Sequence, residues 1–188
     1  MSFNVVVLAS GRGSLFQSLL QHQSNYQIPA LITDSRTSPA IDIAMRNNVS
    51  IEVCEVKKFL TRREWDEAIL QRIEKYAPDL VVSAGFMRIL GSNVVEAFGK
   101  KLINIHPSLL PAFPGAHAVE EALQSGVATT GTTVHYVDSG IDTGEIITQR
   151  EIEILSGDTV ETLHERIKEV ERLLIVEVVK SFATKATQ

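Results

Sequence analysis

The chain has 188 residues, 44% of them hydrophobic and 22% charged, with a net charge of −5. A chain of this length buries about 70% of its unfolded surface, so one domain can hold together without staples. The composition excludes a disordered or fibrous chain, and the acidic balance excludes a general pull toward nucleic acid or anionic membranes. Anionic ligands must therefore be held by local devices.

The single cysteine, Cys54, cannot close an internal disulfide, which fits a reducing compartment. The N-terminal residues carry no positive segment ahead of their apolar run. No apolar stretch approaches the ~18 residues of a membrane span. The expectation is a cytoplasmic protein, a monomer or weak homodimer, with no nucleic-acid or membrane partner.

The elements alternate. Val5-Val6-Val7-Leu8-Ala9 is a continuously apolar run, as for a strand covered on both faces. Residues 14–23 read as a helix, 28–33 as a strand, 39–47 as a helix and 51–54 as a third strand. Residues 61–76 form a helix, with Trp65, Ala68, Ile69, Ile73 and Tyr76 at helical spacing. Pro78 ends it; residues 80–83 are a strand, 92–98 a short helix and 102–106 a fifth strand closed by Pro107. The pattern then changes. Residues 130–137 and 145–154 have strand composition around a Gly/Asp-rich loop, which suggests a late antiparallel edge hairpin. Asp158-Thr159-Val160-Glu161 has the form of a helix start, and a long C-terminal helix runs to about Phe182. The order implies an α/β fold with a doubly wound, mostly parallel sheet. Such sheets place ligands outside the carboxyl ends of their strands.

Ser10-Gly11-Arg12-Gly13-Ser14 joins the first strand to the first helix. Glycines let the backbone approach a ligand, and the free N–H groups of a helix start attract an anion. A dinucleotide fingerprint would need glycine where Phe16 stands, although Asp34 follows about 20 residues on, where a ribose-binding acid would sit. A single phosphate suits the loop better; so does a tight turn that binds nothing.

Asn104 and His106 lie two apart on the fifth strand and share a face, while Ile103 and Ile105 face the other way. A carboxamide and an imidazole can donate two hydrogen bonds to one developing oxyanion. Asp138 and Asp142, in the loop Asp138–Gly144, could supply a carboxylate that orients the imidazole and favours its charged form. On residues alone, these groups also read as structural hydrogen-bonders and turn formers. His135, in the hairpin, could reach the same place. The remaining histidines lack metal-ligand spacing and there is no second cysteine, so no catalytic metal is expected. No G-x-S-x-G elbow supports a serine nucleophile.

On the last helix, Val160, Leu163, Ile167, Val170, Leu174 and Val178 form an apolar stripe with Glu171 at its edge, facing inward, and Glu165 and Glu169 opposite. An inward acid needs a partner, either a structural cation or a ligand. Residues 173–179 are apolar nearly all round, as for a buried helix end or a subunit contact.

The run Asn104-Ile105-His106-Pro107-Ser108-Leu109-Leu110-Pro111, followed by Phe113-Pro114-Gly115, resembles the signature of the folate-dependent formyltransferases. So do the segment Ala84–Leu90, Val134-His135 and Asp142-Thr143-Gly144, and the likeness spans residues 1–188 as one domain. The Asn-His-Pro run is shared across that superfamily, including enzymes that formylate methionyl-tRNA or hydrolyse formyltetrahydrofolate. The N-terminal glycine loop narrows the resemblance to the branch acting on 5′-phosphoribosylglycinamide.

The resemblance implies a Rossmann-like fold, 10-formyltetrahydrofolate as co-substrate, and formyl transfer to the amine of 5′-phosphoribosylglycinamide in purine biosynthesis. It implies Asn104, His106 and Asp142 as the catalytic trio. It implies Gly13, Ser14 and Leu15 at the substrate phosphate and Glu171 at the amine side of that substrate. Arg62, Met87, Arg88, Ile89, Leu90 and Asn104 would contact the folate, with the 137–142 loop closing over its pterin. Two positions depart from the family pattern. Leu15 replaces the usual asparagine, and Ile175-Val176 replaces an aromatic-proline pair. Arg12 could add positive charge near the phosphate. The competing readings are a hydrolase using water, an amino-sugar formyltransferase, a catalytically silent binding module and, disfavoured by Phe16, a Rossmann oxidoreductase.

Overall fold

Every residue from Val5 to Leu8 is fully buried, because both faces of the first strand are covered. In the computed structural model, which describes residues 2–186, β1 (Phe3–Leu8) sends Val5 and Val7 to one apolar core and Val6 and Leu8 to another. This is why the run shows no polar alternation.

Around β1 stand β2 (Tyr26–Thr33), β3 (Ser50–Val53), β4 (Leu80–Ser83) and β5 (Leu102–His106), all parallel; β6 (Thr129–Tyr136) and β7 (Ile146–Glu153) add antiparallel beyond β5. The order is β3-β2-β1-β4-β5-β6-β7, so the chain reverses its direction of travel between β1 and β4. Crevices open at such a switch point. The last paired residue of β4 is Ser83, opposite Asn104, so β5 extends two residues further and walls the crevice.

α1 (Ser14–Gln21), α2 (Ala40–Arg46) and α6 (Val160–Ala186) cover one face. α3 (Arg62–Glu74) and α4 (Ser92–Phe98) cover the other. The short α5 (Ala118–Ser125) packs Val119 with Ile152, Leu163 and Ile167 in a satellite cluster. α3 starts at a capping box: Thr61 Oγ1 accepts from the Glu64 N–H, and Glu64 accepts from the Thr61 N–H. Its Trp65 is fully buried and donates from Nε1 to the Cys54 carbonyl at 2.7 Å.

The element order follows the sequence reading, with local differences. α1 stops at Gln21, where the His22 ring bonds back to the Ser18 carbonyl. β2 starts earlier, at Tyr26, whose hydroxyl donates to the Leu19 carbonyl at 2.6 Å. α6 continues past Phe182 because Ala183 is fully buried on the core. Thr159, not Asp158, accepts the first-turn N–H of that helix, from Thr162; Asp158 is instead held by Arg166. On α6, Leu163, Ile167, Leu174 and Val178 are buried as the stripe requires, while Val160 in the first turn is 37% exposed. Residues 174–176, 178 and 179 are buried in the core, so the apolar end of α6 packs within its own chain, with Leu173 and Glu177 left outside.

Gly13 stands at φ 73°, and a Cβ there would lie 2.8 Å from the Ala40 Cβ. Both the left-handed backbone and the contact with α2 require glycine. We expect Gly13→Ala to cost about 1–3 kcal/mol, measured by urea unfolding. An unchanged midpoint would mean that α2 moves aside freely.

Candidate active site

The glycine loop delivers α1 with its N-terminus open. No side chain caps the helix, no acid sits in its first turn, and its first internal bond is Gln17 N–H to Gly13 O at 2.8 Å. The N–H groups of the first turn are thus left for an anion. Ser38 Oγ holds the Gly11 carbonyl at 3.0 Å and keeps the loop in place. Leu15 turns its side chain into the core at 7% exposure, so this residue offers the site only its backbone. Arg12 is exposed. Phe16 is fully buried, and the Asp34 carboxylate is taken by Arg88 at 2.6 Å. Neither residue serves the dinucleotide arrangement.

On β5 the structure brings the three expected groups together. His106 Nε2 donates to the Phe113 carbonyl at 2.8 Å, and its Nδ1 lies 3.3 Å from Asp142 Oδ2. A carbonyl only accepts, so Nε2 carries the N–H of that bond, while Nδ1 faces the carboxylate. Asn104 Nδ2 lies 3.4 Å from Asp142 Oδ1. Asp142 reaches them because the loop 137–145 doubles back along the β5–β6 face. Asp142 itself has φ 54°, and its Oδ2 accepts from the Gly115 N–H at 2.9 Å. The neighbouring His135 ring, the Gly115 N–H and the His106 ring together outweigh partial burial and hold the Asp142 carboxyl down at about 2.

His135 is the fourth member. Sequence reading sets it in the hairpin, within reach of the site but outside the trio. The antiparallel register pairs it with Asn104, and alternate residues share a face. The ring is 2% exposed; Nδ1 donates to the Tyr136 carbonyl at 2.8 Å, while Nε2 faces Asn104 Nδ2 at 3.3 Å and Asp142 Oδ1 at 3.5 Å. The missing signal was the register, which the two sequence segments do not state.

Glu171 lies on the opposite face of the sheet. Thr132, one register step from Thr133 and so on the far side from His106, donates to the His106 carbonyl at 3.1 Å and lies 3.5 Å from Glu171 Oε1. Burial pushes the Glu171 carboxyl up to about 7, against Thr132, Lys168 and Arg172, which favour the ionised form. A folded-state value above the unfolded one means that stability is full below about pH 4.5 and is lost as pH rises toward 7. The loss is on the order of 3 kcal/mol. We expect Glu171→Gln to gain stability over the parent at pH 8 and almost none at pH 5, read by urea unfolding. A gain independent of pH would mean that the carboxylate is satisfied in the fold.

The segment after β4 leaves apolar side chains bare. Met87 and Ile89 are 75% and 64% exposed, and Ile141 beside Asp142 is 57% exposed. Such bare apolar side chains are candidates for a binding surface. Leu90 is half-buried against the α3–α4 core. Both arginines of this region already have acids: Arg88 pairs with Asp34, and Arg62 with Asp66 at 2.9 Å. Ser10 ties this segment to the glycine loop, donating its N–H to the Gly85 carbonyl at 3.1 Å and accepting the Met87 N–H at 2.8 Å. Among the described residues, no helix is long and apolar enough to cross a membrane.

Known proteins carry the same arrangement of chain. The formyl transferase family model matches residues 3–179. A phosphoribosylglycinamide formyltransferase of Mycobacterium tuberculosis H37Rv is 47% identical over 183 residues, covering 96% of this chain and 85% of that protein. The Bacillus subtilis protein of the same name is 39% identical over 178 residues, covering 93% and 91%. The crystal structure of glycinamide ribonucleotide transformylase 1 from Symbiobacterium toebii superimposes with a TM-score of 0.94 at 36% identity, covering 98% of this chain and 89% of that one. With a match that runs through every strand of the sheet and through α6 as far as Val179, the chain belongs to the formyl transferase family.

Proposed function

We propose that this protein transfers the formyl group of 10-formyltetrahydrofolate to the amine of 5′-phosphoribosylglycinamide, a step of purine biosynthesis. The observation that carries the reading is the meeting of Asn104, His106 and Asp142 at the end of β5, between two dissimilar half-sites. The α1 N-terminus and Glu171 lie on one face of the sheet; Met87–Leu90, Arg62 and the 137–142 loop lie on the other. The first half suits a phosphate and a polar substrate, and the second suits a flat apolar one.

The amine nitrogen attacks the formyl carbon, and the carbonyl electron pair moves onto oxygen. Asn104 Nδ2 and an N–H of His106 donate to that oxyanion, the substrate oxygen replacing the Phe113 carbonyl as acceptor. Asp142, ionised at any working pH, faces the His106 ring and orients it toward the reacting carbon. The attacking nitrogen loses a proton, N10 of the folate gains one, and the C–N10 bond breaks. Gly13, Ser14 and Leu15 anchor the phosphate through backbone N–H groups, so binding at the far end of the ribonucleotide positions its amine. Glu171 binds the amine side of the same substrate from the other face. Tetrahydrofolate and the formylated amide leave, and no covalent enzyme intermediate or metal is required.

The test is the absorbance change of 10-formyltetrahydrofolate with purified protein, with and without 5′-phosphoribosylglycinamide. Turnover that requires the ribonucleotide is the expected result. Turnover in its absence identifies a hydrolase, and turnover with an amino-sugar nucleotide in its place identifies a different acceptor.

A further inference from the structure

The segment Phe86–Gly91 is a loop between β4 and α4, and its exposed Met87 and Ile89 give it little packing of its own. Three contacts from one face of α3 pin it. Trp65 lies nearly parallel to Phe86, with ring centroids 6.4 Å apart and 6° between planes. Arg62 lies 4.7 Å over the Trp65 ring and donates from Nη2 to the Ile89 carbonyl. Gly91 sits against Asp66 so closely that a Cβ would fall 2.5 Å from the Asp66 Cγ. Residues 62, 65 and 66 are spaced to share a helix face.

Asp66 joins these contacts. Both its carboxylate oxygens accept from Arg62 Nε, at 2.9 and 3.0 Å, and its main-chain carbonyl accepts from Asn93 Nδ2 at 3.0 Å in the first turn of α4. Its side chain is 14% exposed, against 50% for Arg62. A half-exposed ion pair stabilises a fold little. What this one does is aim a guanidinium at a single main-chain carbonyl of the folate segment.

We propose that Asp66 is a positioning residue for folate binding, acting through Arg62 and Gly91 on the backbone of residues 86–91. Without the carboxylate, Arg62 is free to swing away from Ile89, and the surface formed by Met87 and Ile89 loses its fixed backbone. The half-site for the ribonucleotide, on the other face, is untouched. The inference rests on the reading of the site given above, so the parent protein is assayed alongside.

Asp66→Ala is expected to raise the KM for 10-formyltetrahydrofolate about tenfold, with the ribonucleotide KM and kcat changed less than about twofold. Asp66→Asn, which keeps one oxygen to accept from Arg62, should recover part of the loss. It also serves as the test if the alanine variant folds poorly. A parent that fails to transfer formyl overturns the functional reading. An active parent whose Asp66 variants keep the folate KM, or raise both KM values equally, overturns the positioning role alone.

Discussion

Replacing His106 with alanine is expected to lower kcat about 10²–10³-fold, the usual cost of one oxyanion donor. The loss reaches beyond the donor itself. His106 donates to the Phe113 carbonyl and faces the Asp142 carboxylate, so its removal strips a neighbour from two groups that can only accept. Asp142 would then keep only His135, Asn104 and the Gly115 N–H around it. The α1 N-terminus lies on another element and contacts none of these residues. The ribonucleotide KM should therefore stay within a few-fold of the parent. Steady-state kinetics with both substrates varied separate the two effects. Near-parental turnover would remove His106 from the chemistry.

Asp142→Asn is the second large effect, with kcat expected to fall roughly 10²–10⁴-fold, the range for acid–base assistance. The side chain keeps its shape and loses its charge. In the parent, a carboxyl held at about 2 is ionised across any assay pH, so what the variant loses is the anion facing two imidazoles. Asparagine in its place turns either an amide oxygen, a weaker acceptor, or an NH₂, a competing donor, toward His106. The sign for stability follows from the lowered value. The contribution of Asp142 is present above about pH 4 and is lost as pH falls toward 2. The parent's advantage over the variant in urea unfolding should therefore shrink on acidification. An advantage that stays constant from pH 7 to pH 3 would show that the carboxylate gains nothing from its neighbours.

Legibility in the sequence followed the range of the interaction. Most of the parallel strands were readable because they are short apolar runs between turn residues, and most of the helices because periodicity is local; β3 carries Glu52 and α5 was not among the elements read. Asn104 and His106 were readable as a pair because a strand puts alternate residues on one face. That Asp142 joins them was an expectation of the family likeness and of the Gly-rich loop; only the fold carries the loop 137–145 back along β5. His135 was named as within reach of the site, but its pairing with Asn104 was hidden for the same reason. Its neighbour Asn104 is 31 residues away, and a one-residue slip of β6 would have faced Val134 into the site instead. The acids opposite Arg62 and Arg88 show the same limit in two forms. Asp66 is one helical turn from Arg62 and could be paired on paper, whereas Asp34 meets Arg88 across 54 residues and two strands.

The contact between α1 and α6 bears on how the protein matures. During synthesis the chain emerges from its N-terminus, so the 86–91 segment, β5 and the 137–145 loop all leave the ribosome before residue 160. A nascent chain halted there already holds Asn104, His106, His135 and Asp142 together with the 86–91 segment. α1 has by then no α6 against it, and Glu171 has not been made. The two faces of the sheet are thus completed at different moments, and the one that waits for the last helix marks completed folding.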